Sequence, residues 1–176
     1  MHIVKKIYLF FVCLLLIGCG SNIFNKPAII LVSCPEILFS SEHKIYTGTN
    51  SDTITFENIN YKAEINNAIF SKKCEIENNI FATELSILFI SNPLNNKIKL
   101  FTLPYYMALL DKNKNLIDIQ YFSTVNEFKK NIDTDNLIET EITNTLFINH
   151  EFLVLEEIST IVLGFMLDKN QINFLN

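Results

Sequence analysis

The residues able to carry reaction chemistry are few, and most fail on spacing. His150-Glu151 opens like the H-E-x-x-H helix of a zinc protease, but the second histidine's place is held by Val154, so two imidazoles cannot share one helix face. Ser40-Ser41-Glu42-His43 sets nucleophile, acid and base types side by side. Neighbours in a strand or turn point apart, however, and the chain has no G-x-S-x-G elbow to aim a serine. The pairs Glu139 and Glu141, Glu156 and Glu157, and Asp133 and Asp135 have the types needed for acid–base catalysis or calcium binding. Residues two apart on a strand share a face, and carboxylates so placed read as a solvated side. No C-x-x-C or H-x-x-x-H spacing supports a metal site. With 4 glycines in all, a phosphate-cradling loop cannot be built. The expectation is a non-catalytic chain without cofactor, the enzyme alternative being an unrecognised hydrolase built on His43 or His150.

The cysteines carry a stronger signal. Lys5 and Lys6 precede Ile7 to Ile17, an uncharged apolar run too short for the roughly 20 residues that span a bilayer, so residues 1–18 read as a cleavable export signal. The run ends in Leu16-Ile17-Gly18-Cys19, an order that resembles a bacterial lipobox. A peptidase cuts beside the small residue, and the Cys19 thiol carries diacylglycerol through a thioether. Cys13, preceded by Val12, lacks that context. Two or three acyl chains anchor a protein stably where one does not, so Cys19 is expected to hold the chain on a membrane. Residues 19–27 form a short tether, whose eight residues beyond the cysteine reach at most about 26–29 Å. In such lipoproteins an aspartate after the cysteine favours the inner membrane; here Gly20 points to the outer membrane, facing the periplasm. Cys34 and Cys74 remain, and in an oxidising compartment they have one pairing open to them. That bond would close a loop of about 40 residues and add roughly 4 kcal/mol on the chain-entropy model.

Composition narrows the partners. Removing 18 of 176 residues leaves 158, enough for one domain over 28–176, and losing Lys5 and Lys6 moves the formal charge from −5 to about −7. All 14 basic residues are lysine, so no arginine fork is available to phosphates, and nucleic acid is excluded as a partner.

The elements that must position these residues show a period of two. Ile59, Tyr61, Ala63 and Ile65 alternate with Asn60, Lys62, Glu64 and Asn66, which predicts a half-buried strand. Phe81 to Ile90 is apolar on both faces near its end and predicts a central strand. Lys97 to Leu110 and Leu116 to Ser123 flank Asp111-Lys-Asn-Lys-Asn115 as a hairpin, with Pro104 marking an edge or a bulge. Leu137 to Ile148 sets Ile138, Ile142, Leu146 and Ile148 on one face, and Ile158 to Leu167 is a last apolar strand. Asp168 is placed to cap a short helix from Lys169 to Leu175. Seven or eight strands without a long amphipathic helix predict an all-β fold: an antiparallel β-sandwich of immunoglobulin-like type, with a small β-barrel as alternative. The chain has no Trp, so the antibody-domain hallmark is missing. Phe101, Tyr105, Tyr106 and Met107 are expected to fill the core, or else to line a ligand pocket or partner groove.

The lipobox, Cys34-Pro35, Tyr61-Lys-Ala-Glu-Ile65, Cys74, Pro104-Tyr-Tyr-Met-Ala-Leu-Leu-Asp111 and Leu163-Gly-Phe-Met-Leu167 together resemble small lipoproteins of alphaproteobacteria with no assigned activity. That resemblance implies an envelope location and a sandwich fold, and it carries no catalytic residues. The expected function is a protein-binding or assembly-supporting module, partnered by membrane lipid and an unknown envelope protein. The alternative is a carrier of a small molecule or lipid with an apolar cleft at the aromatic cluster.

Overall fold

The computed structural model describes residues 29–51, 53–133, 136–151 and 158–175; the expected export signal (1–18), Cys19 and the expected tether (19–27) lie outside them. Two sheets stack face to face as an all-β sandwich with no closed barrel. Sheet A is organised around β6 (Ile80–Pro93), whose Phe81, Leu85, Ile87 and Phe89 alternate inward. One edge of β6 pairs along most of its length with β9 (Thr140–Glu151). The other edge pairs first with β4 (Ile59–Phe70) and then with β5 (Cys74–Glu77). β3 (Ile45–Thr49) extends the sheet beyond β4, and β1 (Ile30–Val32) extends it beyond β5. β6 is thus hydrogen-bonded along both edges, the central place expected for the run from Phe81.

Sheet B has the order β2 (Glu36–Phe39), β10 (Thr160–Phe165), β7 (Leu100–Leu110) and β8 (Leu116–Glu127). β2 and β10 pair in parallel, the one parallel ladder among the described strands. Pro104 lies inside β7, a central strand rather than an edge. The strand tolerates it because β10 stops pairing at Tyr105. The Pro104 carbonyl accepts the Met166 amide at 3.0 Å, so the missing N–H would have faced β10 just past the ladder's end.

Ile65, Leu85, Ile87 and Phe89 of sheet A close on Leu103, Tyr105, Met107, Leu109, Ile161, Leu163 and Phe165 of sheet B, all 0% exposed. Each such side chain contributes about 1.5–3 kcal/mol of burial energy. The Phe89 ring lies 5.1 Å from Tyr105 and 5.8 Å from Phe165, centroid to centroid, within the range where tilted aromatic pairs attract.

Local chemistry fixes the ends. The Asp111 carboxylate accepts the amides of Asn113 and Asn115 at 2.8 Å each, and Lys114 takes a φ of 65°, which closes the expected hairpin. At the C-terminal end, Asp168 Oδ1 accepts the Gln171 amide at 2.8 Å while Gln171 Oε1 accepts the Asp168 amide at 2.9 Å. This reciprocal cap starts α1 (Lys169–Leu175), and the Gln171 side chain then donates to the Thr47 carbonyl, docking the helix on β3. Cys34 and Cys74 are bonded, with their Cα atoms 5.2 Å apart and a separation of 40 residues. The bond ties the crossing from β1 to β2 onto the buried start of β5, so it joins the two sheets at one corner. β9 begins at Thr140, later than the expected Leu137: Leu137 instead bridges to Lys130, and Ile138 is 40% exposed.

Chain direction gives the sandwich two poles. The start of β1, the β5–β6 turn at Asn78 and Asn79, the β7–β8 hairpin and the end of β9 gather at one pole, where the first described residues lie. The β6–β7 and β8–β9 connections gather at the other.

Candidate interaction face

Among the described residues, those suspected of chemistry are not assembled into a catalytic group. Ser41, Glu42 and His43 form a 3-10 turn between β2 and β3. The His43 ring stands edge-on to Tyr106 with centroids 5.7 Å apart, and its Nδ1 is buried without a hydrogen-bond partner. A general base needs a nucleophile or an orienting acceptor on that nitrogen; here the ring serves as a packing surface. Among the described residues no three His, Cys, Asp or Glu side chains gather as metal ligands. Glu139, Glu141 and Asp133 are exposed. The His150 side chain, Asp135, Glu156 and Glu157 lie outside what the structure describes.

The aromatic cluster divides by strand parity. Phe101, Tyr105 and Met107 point inward and are at most 3% exposed. Burial pushes the Tyr105 hydroxyl up to about 12, opposed by the Asn144 amide that donates to it at 2.5 Å. Burial likewise raises the Tyr61 hydroxyl, which donates to the Thr102 carbonyl at 2.7 Å. These rings fill the space a carrier would need as a cleft. Tyr106, one residue out of phase, lies on the outer face, half-buried over Gly164 and against the His43 ring.

Following that outward phase across sheet B defines a surface. Directly paired residues share a face, so the register places Leu38, Val162, Ala108 and Ile119 in one row. Gly164, Tyr106 and Tyr121 form the next, followed by Pro104 with Ser123, and Thr102 with Val125. None of these four rows carries a charge. Tyr121 is 61% exposed and Val125 67%; the next pair, Leu100 with Glu127, brings in a charge and bounds the uncharged rows. Gly164 is part of the design: a Cβ there would stand 2.6 Å from the Tyr106 hydroxyl, so the absent side chain makes the seat for that ring. Monomeric surfaces rarely keep large contiguous apolar areas without use, and depletion of charge with enrichment of aromatics is the mark of an interface core.

Only Tyr106 of this face was singled out from sequence. The signal for the rest was present: β7 is apolar in both phases, Leu100, Pro104, Tyr106 and Ala108 alternating with Phe101, Leu103, Tyr105 and Met107. A strand covered on one face only needs one apolar phase; the second has to be explained by something else. Comparison with protein-family models, with curated proteins and with solved structures returns no match.

Proposed function

We propose that the chain is a non-catalytic, lipid-anchored module of the bacterial envelope that binds another envelope protein through the outer face of sheet B. Cys19, the lipobox cysteine, holds it in the envelope, the location implied by its resemblance to alphaproteobacterial lipoproteins, and Gly20 after it favours the outer membrane on the periplasmic side. The single observation that carries the binding role is the uncharged run of rows from Leu38 to Val125. The Cys34–Cys74 bond supports an oxidising compartment, since such bonds persist outside the reducing cytosol.

Two measurements test this. The intact mass of the native protein, taken reduced and unreduced, reports cleavage before Cys19, acylation and the disulfide together; a chain that still begins at Met1 refutes the anchor. For the binding role, a photo-crosslinking residue at Tyr121 is expected to capture a discrete envelope protein in living cells. The same residue at Lys62, exposed on the opposite sheet, is expected to capture none. Equal labelling from both sites would refute the assignment of the face.

A further inference from the structure

Resting on the anchor reading just given, we propose that the corner of sheet A nearest the tether is a membrane-docking face that lies in the phospholipid headgroup layer. Ile29, Ile30 and Leu31 are consecutive, apolar and 56%, 47% and 61% exposed, and Ile80 at the neighbouring turn is 41% exposed. Phe147 on β9 is 68% exposed. Register explains why Leu31 and Phe147 meet: Leu31 pairs with Glu75 and Glu75 with Ala82, while Glu84 pairs with Phe147, so these five project from the outer face of sheet A, whereas Ile30 takes the opposite phase opposite the buried Ile76 at the sheet's edge. The small Ala82 side chain leaves the floor of an open groove of about 300 Å³, walled by Leu31, Phe147, Lys72, Lys73, Glu75 and Glu84. Lys72 is paired with Glu84 and its ammonium lies 5.9 Å from the centre of the Phe147 ring.

The occupant follows from chemistry and from chain length. A groove with two lysines and two glutamates between two apolar rims matches a zwitterionic phosphoethanolamine headgroup, phosphate toward lysine and ammonium toward glutamate, with acyl carbon against Leu31 and Phe147. An anionic polymer would meet the glutamates, and a purely apolar ligand would strand four charges. The chain outside the structure ends at the right place: Cys19 precedes Ile29 by 10 positions, which cannot extend beyond about 33–36 Å. A surface held that close to the bilayer sees headgroups at high effective concentration, so weak contacts suffice to orient it. Laid on this corner, the molecule turns the outer face of sheet B away from the lipid, toward the side where a protein partner approaches.

The chain has no Trp, so single introduced tryptophans report position directly. Full-length lipoprotein carrying Phe147→Trp, Leu31→Trp or, as reference, Tyr121→Trp is reconstituted into vesicles of phosphatidylethanolamine and phosphatidylcholine, with and without brominated lipid. All three positions are exposed, so the fold tolerates the change. The expected result is that the Phe147→Trp and Leu31→Trp proteins lose most of their emission to bromine while Tyr121→Trp keeps its own. Protein that floats with vesicles but shows equal quenching at all three positions, or none at any, overturns the docking face and leaves the anchor standing. Protein that fails to float overturns both.

Discussion

The outer faces of the two sheets meet the same solvent and are built differently. On sheet A the row Ile45, Glu64, Ile90 and Glu141 interleaves apolar and acidic residues, and Glu64 is paired with Lys44 at 2.9 Å. Asn67, Leu88 and Thr143 follow, then Ile69, Ser86 and Thr145. Every apolar side chain there has a polar neighbour across the ladder, the ordinary solution for a sheet with one wet side. Sheet B places Tyr106 beside Tyr121 and Leu38 beside Val162. Hydration alone gives no reason for that second arrangement, so the contrast between the faces, more than the presence of any one residue, is what supports the binding role proposed for sheet B.

The contrast can be broken in order of expected effect. Replacing Cys34 and Cys74 by Ser removes the covalent corner between the sheets and is expected to cost about 2–5 kcal/mol in denaturant unfolding. Hydrogen exchange should then rise first in β1 and β5, with the sheet B face intact; simultaneous loss in both sheets would show that the faces are not independent. Tyr121→Glu puts a charge at the centre of the uncharged rows. It is expected to weaken capture of the crosslinked partner by about 2 kcal/mol, roughly 30-fold, while unfolding moves by less than about 0.5 kcal/mol. Lys62→Glu on sheet A should leave capture unchanged. Gly164→Ala crowds the Tyr106 ring and is expected to destabilise by about 1–3 kcal/mol, with a smaller loss of capture as the ring is displaced.

The last test is a titration. Tyr105 holds its proton more tightly folded than unfolded, its pKa rising from 10.0 to about 12, so the folded state binds more protons above pH 10. Its contribution is therefore complete below pH 10 and lost as pH rises through about 12. Tyr105→Phe should flatten the fall in stability measured between those limits. Asp111 runs the other way: hydrogen bonds from Asn115 and Asn113 lower its pKa, so the hairpin loses support as pH drops below the usual carboxylate range. Asp111→Asn should remove that acid dependence while leaving both faces unchanged.

Which of these features could be read from residues alone follows from physical range. The disulfide, the Asp168 cap and the Asp111 hairpin are each set by one or two residues whose chemistry has a single outlet, and all three were legible. The central place of β6 followed from its two apolar phases. The same logic applied to β7 would have exposed the proposed binding face of sheet B, but Pro104 pulled that strand toward an edge or bulge assignment. Its true place depends on where β10 stops pairing, and that register is not written locally. The start of β9 slipped for a similar reason, since Ile138 keeps the strand's phase and is left out of its ladder. The corner proposed to face the membrane brings together Leu31, Lys72, Ala82 and Phe147, which no period in the sequence connects.

The parallel pairing of β2 with β10 joins Glu36 to Thr160, and Gln171 reaches Thr47 across 124 positions. Neither sheet B nor the helix dock can close until the ribosome has made nearly all the described chain. Contacts of such long range also form slowly. The β4–β6 and β7–β8 ladders are closed by shorter loops, so a nascent polypeptide of this design can pair locally but cannot complete its sandwich until its last strand and helix emerge.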